Sequence, residues 1–264
     1  MELLKQLREM TGAGMVDCKK ALDEAGGDLN AAVEILRKKG IAKSAKRADR
    51  ETSEGIVSVA VNADATEGYA IEVDSETDFV ARSDKFQEFV AGALELVKTA
   101  KPASVEALLA LDMNGLSVKD TLDTLSGVIG EKLAVKRLAV LNGGTVAAYS
   151  HLGGRIGVLV AIDASGKNEE AVDVAMQVAA ANPKYLVPAE VSTDEMDKEK
   201  DIYREQLIKE GKPEAMVEKI LEGKMAKYYS EVCLMEQEFI KDDKKKVKDI
   251  LGGATVSAFV RFSL

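Results

Sequence analysis

The stretch "EGIVSVAVNADATEGYAIEVDSE", residues 54–76, runs straight into "TDFVARSDKF", residues 77–86. "EGIVSVAVN" and "GYAIEVDSE" carry β-branched and apolar residues in alternation and short runs. They read as two strands joined through "ADATEG", a turn. The period then changes. Phe86, Phe89, Val90, Ala93, Leu94 and Val97 recur at 3.6-residue spacing, the buried face of a helix, with Ser83 as its natural N-cap. A strand pair followed directly by an amphipathic helix predicts an α+β unit. Between them stands Phe79, a large ring among charged neighbours. Two readings compete: a staple that pins the helix start to the core, or a ring presented to something outside the protein.

Outward from this segment the same grammar returns. A second helix is expected over "VKDTLDTLSGVIGE" (118–131) and a strand over "KLAVKRLAVLN" (132–142). After Asn142-Gly143-Gly144, "TVAAYSHL" and "RIGVLVAID" read as strands around Gly153-Gly154. A helix follows through Val172, Ala175, Met176 and Ala179, and "ATVSAFVRFSL" closes as a strand. Two related α+β halves with antiparallel sheets are therefore expected, 51–141 and 142–264.

Residues 1–50 form a separate unit. Leu3, Leu7 and Met10 share a helical face, and "TGAG" at 11–14 breaks it. Val16, Ala21 and Leu22 are expected to face inward on a second helix. Gly26-Gly27 supplies a left-handed stop and Asp28 an N-cap. Leu29, Ala32, Val33 and Leu36 mark the third helix. The arrangement resembles a ubiquitin-associated three-helix module. The basic run "RKKGIAKSAKRADR" (37–50) reads as a helix end and linker. Residues 190–231 are charge-dense with a narrow apolar stripe: Met196, Tyr203 and Leu207 on one arm, Val217, Ile220, Leu221 and Tyr228 on the other. "EGKP" (210–213) is the turn between them. Two arms of about 24 Å each make an inserted antiparallel helical hairpin.

Composition narrows the function. The chain has 264 residues, 46% hydrophobic and 31% charged, with a net charge of −9 and no tryptophan. The negative balance argues against nucleic-acid binding, which draws its affinity from clustered Lys and Arg. Cys18 and Cys233 stand alone, without metal or disulfide spacing, as in a reducing, cytoplasmic compartment. "MELLKQLREM" reads as an amphipathic helix rather than a signal peptide. "IGVLVAI" is too short to span a bilayer.

Sites for covalent chemistry are scarce. His151 is the single histidine, and the adjacent Ser150 points to the opposite face of a strand. No carboxylate or cysteine lies at metal-ligand spacing from it. "GGRIG" leads into a strand, whereas a phosphate cradle needs a helix N-terminus. "TGAGM" lacks a preceding strand and a Lys-Ser/Thr. Its glycines shape a turn at which Met10, Met15 and Val16 either meet a protein partner or close the small core. Neither a catalytic residue, a metal nor a cofactor is expected.

Three stretches, in this order, carry a resemblance: "TGAGMVDCKKAL" (11–22), "TDFVARSDKF" (77–86) and "HLGGRIGVLV" (151–160). They resemble the signature segments of the translation elongation factor Ts family, and the likeness covers essentially the whole chain, including the Lys212-Pro213 turn. The resemblance implies a guanine-nucleotide exchange factor without covalent chemistry. It would bind elongation factor Tu·GDP in the cytoplasm, promote GDP release and act on Tu-bound magnesium indirectly. It implies that Thr77, Asp78, Phe79 and Val80 form an intruding tip. Phe79 would wedge beside the magnesium and phosphate region while Asp78 disturbs the magnesium. Met15 and Val16 would grip a helix of the GTPase, and His151, Gly153, Gly154 and Arg155 would lie near another Tu domain. Neither nucleic acid nor membrane is an expected partner, and the hairpin offers a surface for self-association. Some relatives continue past the last strand with a further helical module, whose contacts are not expected of a sequence ending at Leu264. The competing class is an adaptor that binds a partner through the three-helix module and leaves GDP release unchanged. A hydrolase built on His151 is a third.

Overall fold

The computed structural model describes residues 2–264. Three helices open it: α1 (Glu2–Thr11), α2 (Met15–Glu24) and α3 (Leu29–Ala45). They close a small core of Leu7, Ala13, Cys18, Ala21 and Ala32. Asp28 caps α3 by accepting from the Ala31 amide at 2.9 Å, as its position after Gly26-Gly27 predicts. Val16, expected inside, is exposed, as are Leu3 and Met10. With ten-residue helices, the core has room only for Leu7 of α1 and for Cys18 and Ala21 of α2.

The basic run is not simply a linker. Helix α3 continues through it to Ala45 and docks on a helix of the first α+β half, described next. Only the segment 46–53 connects the two.

That half contains β1 (Glu54–Val61), β2 (Glu67–Ser75), the one-turn helix α4 (Asp78–Ala81) and α5 (Asp84–Ala100). The short α6 (Val105–Leu109), the two-residue strands β3 (Asp112–Met113) and β4 (Leu116–Ser117), α7 (Val118–Ile129) and β5 (Ala134–Asn142) complete it. β1, β2 and β5 form an antiparallel sheet with β2 in the centre. One face of β2 sends Tyr69, Ile71 and Val73 into a core with Phe86, Phe89, Val90 and Val97 of α5. These are the apolar positions of α5 that its period predicts.

The second half follows the same plan. β6 (Thr145–His151) and β7 (Ile156–Ile162) form a hairpin, α8 (Asn168–Ala181) covers it, and β10 (Val256–Ser263) returns beside β7. In both sheets the returning strand pairs with the second strand of the hairpin. The buried face of α8 is Ala171, Val174, Ala175, Val178 and Ala179, rotated from the expected one; Val172 is exposed. α8 is alanine-rich, so a one-residue change of phase alters its apolar count little.

Between α8 and β10 come α9 (Thr193–Lys209), α10 (Glu214–Val232), β8 (Glu238–Phe239) and β9 (Asp242–Lys246). α9 and α10 pair as the expected antiparallel hairpin, with Leu207, Val217 and Leu221 buried between the arms. At its root Met225 and Tyr228 pack with Val191 and Cys233.

The two sheets face each other through Val57, Ala70, Leu159 and Phe262. Contact is close because two strand positions lack side chains. A Cβ on Gly157 would lie 2.4 Å from Val57 Cγ1, and one on Gly68 would lie 2.7 Å from Val146 Cγ1. The architecture is α+β, two antiparallel sheets back to back with helices on their outer faces. No helix of the described residues is long and apolar enough to cross a membrane.

Candidate functional site

The Thr77–Val80 segment sits where β2 leaves the sheet. Thr77 has extended backbone (φ −128°, ψ 155°) and caps α4, its Oγ1 accepting from the Val80 amide at 3.4 Å. A four-residue helix has almost no stability of its own, because nucleation costs more than one turn returns. This turn is held from outside. Glu131, at the turn after α7, accepts from both the Thr77 amide (3.0 Å) and the Thr77 hydroxyl (2.7 Å). Val80 packs against the first-half core and Ala81 is buried. Ser83 Oγ donates to the Val80 carbonyl at 2.7 Å and closes the turn.

With three sides anchored, the fourth faces out. Phe79 is 82% exposed, far more than any other aromatic ring among the described residues. The staple reading therefore fails: the start of α5 is filled by Phe86 and Phe89, and Phe79 touches no core. Asp78, beside it, forms an ion pair with Arg82 at 3.0 Å, one helical turn on. An exposed pair of this kind contributes little to stability and leaves the carboxylate free to change partners.

The brace continues behind α4. Glu76 accepts from the Lys132 amide at 2.6 Å and from Arg50 at 3.1 Å. The Lys132 amide, and then Arg50, hold its carboxyl below the usual glutamate value. Lys132 Nζ in turn donates to the carbonyls of Ala48 and Arg50, each at 2.7 Å. The connector from the three-helix module is thus tied to the segment that leads from β2 into α4.

The glycine-rich turn of the second half lies across a cleft from α4. Asp78, Arg82 and Gln87 form one wall; Leu152, Gly153 and Arg155 form the other, with Glu54 and Ile56 at the base. Gly153 and Gly154 take positive φ (66° and 92°), which a residue with a side chain would strain. The Gly154 carbonyl accepts from the Val57 amide at 2.7 Å, and Arg155 pairs with Glu54, so the turn is fastened to β1. Leu152, at φ 51° and 65% exposed, is a second protruding apolar side chain beside this cleft. Sequence reading passed over it, although a leucine before Gly-Gly at a strand end was the available signal.

His151 does not line the cleft. It shares a strand face with Tyr149, its Nδ1 3.0 Å from the Tyr149 hydroxyl and the rings stacked at 5.8 Å. Ser150 occupies the opposite strand face, so Ser150 and His151 form no nucleophile–base pair. Among the described residues no group of three or more His, Cys, Asp or Glu side chains is placed to hold a metal ion.

Met15 and Val16 are exposed on α2, next to exposed Met10. Their module abuts the first half closely. The Lys85 ammonium, in the first turn of α5, lies 1.5 Å from where a Cβ on Gly12 would stand. A methyl and flexible Lys85 cannot share that space, and Gly12 has φ 68° besides. The Lys85 side chain of the helix that follows Phe79 thus reaches the turn in "TGAG". The basic run is spent internally: Arg37 pairs with Asp120 at 2.6 Å, Lys43 with Asp17 at 3.0 Å, and Arg47 donates to the Ser126 carbonyl.

The site is thus an exposed ring on a braced turn, with small apolar protrusions on neighbouring elements. Exposed apolar side chains gathered in this way are the kind of surface on which protein partners dock. Comparison with known proteins identifies the family. The family model described as "Elongation factor TS" matches residues 76–264, starting one residue before Thr77. The elongation factor Ts of Prosthecochloris aestuarii (strain DSM 271 / SK 413) is 45% identical over 278 aligned residues, which take in 99% of this chain and 96% of that protein. Likeness of this extent reaches every element described above, and the chain belongs to the elongation factor Ts family.

Proposed function

We propose that the protein is a guanine-nucleotide exchange factor for elongation factor Tu. It binds Tu·GDP in the cytoplasm and inserts Phe79 beside the magnesium and phosphate region of the nucleotide site. The observation that carries this reading is the position of Phe79: 82% exposed, yet on a turn anchored by Glu131, Val80 and Ala81. A ring without a core role, held rigidly in water, stores binding energy for a partner. An apolar wedge gains that energy only in a partner conformation that has moved aside to bury it. Magnesium and phosphate oxygens hold each other and the switch segments of a GTPase. A factor that favours the displaced conformation weakens GDP, and GDP weakens the factor by the same ratio.

Asp78 assists by drawing on the magnesium environment once it leaves Arg82. Met10, Met15 and Val16 form a second grip, on a helix of the GTPase domain. The Leu152–Arg155 turn, with His151 behind it, contacts a further Tu domain. No bond is made or broken, so the protein is a binding factor and not an enzyme.

The test is reciprocity. Titrating nucleotide-free Tu and Tu·GDP with the protein should give tighter binding to the empty form, and added GDP should dissociate the complex. Equal affinity for both forms is the adaptor's signature and would remove the exchange reading.

A further inference from the structure

We infer that Glu131 is a positioning residue for Phe79, a role that rests on the exchange reading above. Glu131 is 54 residues from Thr77 in sequence, yet it takes both hydrogen-bond donors of that residue, the amide and the hydroxyl. With its hydrogen committed to Glu131, the Thr77 hydroxyl can only accept from the Val80 amide, which is the capping bond of α4. Two charge-assisted bonds thus set the direction in which the turn bearing Phe79 leaves the sheet. The remaining hydrogen bonds of α4, Ala81 amide to Thr77 carbonyl (3.3 Å) and Arg82 amide to Asp78 carbonyl (3.1 Å), begin from that capped residue.

Glu131 is itself well placed to be rigid. It follows Gly130, the left-handed cap of α7 at φ 93°, and its carbonyl accepts from the Ser126 hydroxyl at 2.5 Å. α7 is also the helix on which α3 docks, with Gly40 and Gly127 in close contact and Ser44 bonded to Asp123 at 2.9 Å. One helix end therefore sets the wedge and one helix face sets the three-helix module. A partner gripping the module and the ring together meets a fixed spacing between them.

The experiment compares the full chain with Glu131→Gln and Glu131→Ala in two measurements. The first is amide exchange of the free protein. Protection of Val80, Ala81 and Arg82 should fall in Glu131→Ala, less so in Glu131→Gln, which keeps one acceptor, while α5 amides stay as in the parent. The second is the release of fluorescent GDP from Tu at saturating factor. Loss of the clamp should slow it by about tenfold, one charge-assisted hydrogen bond expressed as a rate ratio. The half-saturating concentration should move far less. In a Phe79→Ala background the same Glu131 change should have no further effect, since there is no ring left to aim. Unchanged protection of α4 would overturn the proposal, whatever Tu does. Lost protection with full release activity, in a protein whose Phe79→Ala variant is impaired, would also overturn it. If Phe79→Ala itself is fully active, the wedge role of Phe79 falls instead, and the amide-exchange data alone then judge the clamp.

Discussion

Truncation of Phe79 to alanine separates a functional ring from a structural one, and the structure sets both magnitudes. A buried phenylalanine cut to alanine costs about 3–5 kcal/mol. Phe79 is 82% exposed, so only a small part of that burial exists to be lost. The isolated variant should lose less than about 1 kcal/mol, about 2–4 °C in Tm for a chain of this size. Phe86, seven residues on and fully buried, is the internal control. Phe86→Ala should lower Tm by about 10 °C, from the full cost of a core truncation. In the complex the order reverses. A buried aromatic anchor contributes about 2–4 kcal/mol at an interface. Release of GDP at saturating Phe79→Ala should therefore slow by roughly 30-fold to 1,000-fold. The assay pairs thermal unfolding of each variant alone with fluorescent-GDP release from Tu. A Phe79→Ala protein that melts as early as Phe86→Ala, yet releases GDP at the parental saturated rate, would refute the reasoning.

Other expectations follow from particular contacts. A Cβ on Gly127 would lie 2.4 Å from Gly40 Cα, backbone that cannot yield. Gly127→Ala should therefore push α3 off α7 at about 1–3 kcal/mol and speed proteolysis within 46–53; an unchanged cleavage rate would contradict this. Asp74 is buried with Oδ1 unpartnered, and burial raises its carboxyl pKa above the usual 3.8 despite Lys136 at 3.4 Å. A raised folded pKa means that stability falls as pH rises from 3.8 through the folded value, after which the loss is complete. Asp74→Asn should remove that loss and stabilise the protein at pH 7 by about 1 kcal/mol, with no gain at a pH well below 3.8; denaturant unfolding at both pH values decides. In the hairpin, excising residues 204–223 should leave folding and GDP release intact. Removing all of 193–230 takes Met225 and Tyr228 from Cys233 and should lower Tm, as calorimetry would show.

Legibility of the sequence followed the range of the interaction. Local signals held: the cap at Asp28, the two strands of residues 54–76 and the buried face of α5 are each written within a few residues. α8 was misphased because alanine fills so many of its positions that the buried stripe has no sharp edge. The run 37–50 looked like a linker because its charges outnumber its apolar residues. Three of those charges instead meet Asp120, Asp17 and the Ser126 carbonyl, two of them more than 70 residues away. For Val16 the sequence leaves core and partner surface open, and the three-helix core is too small to hold it. For Phe79 the sequence posed the alternatives without deciding them, because exposure depends on what else fills the space; here Phe86 and Phe89 fill it. Glu131 carried no motif. Its meaning arises only when the end of α7 meets the end of β2, a long-range contact that no local period reports.

The central claim is that this surface drives nucleotide from a GTPase. Its most direct measurement loads Tu with a fluorescent GDP, adds excess unlabelled nucleotide and follows the signal as this protein is titrated in. The account predicts a release rate that rises with concentration, saturates far above the spontaneous rate and falls back when Phe79 is replaced by alanine. A release rate that stays at its spontaneous value at every concentration, while the two proteins demonstrably bind, would contradict it.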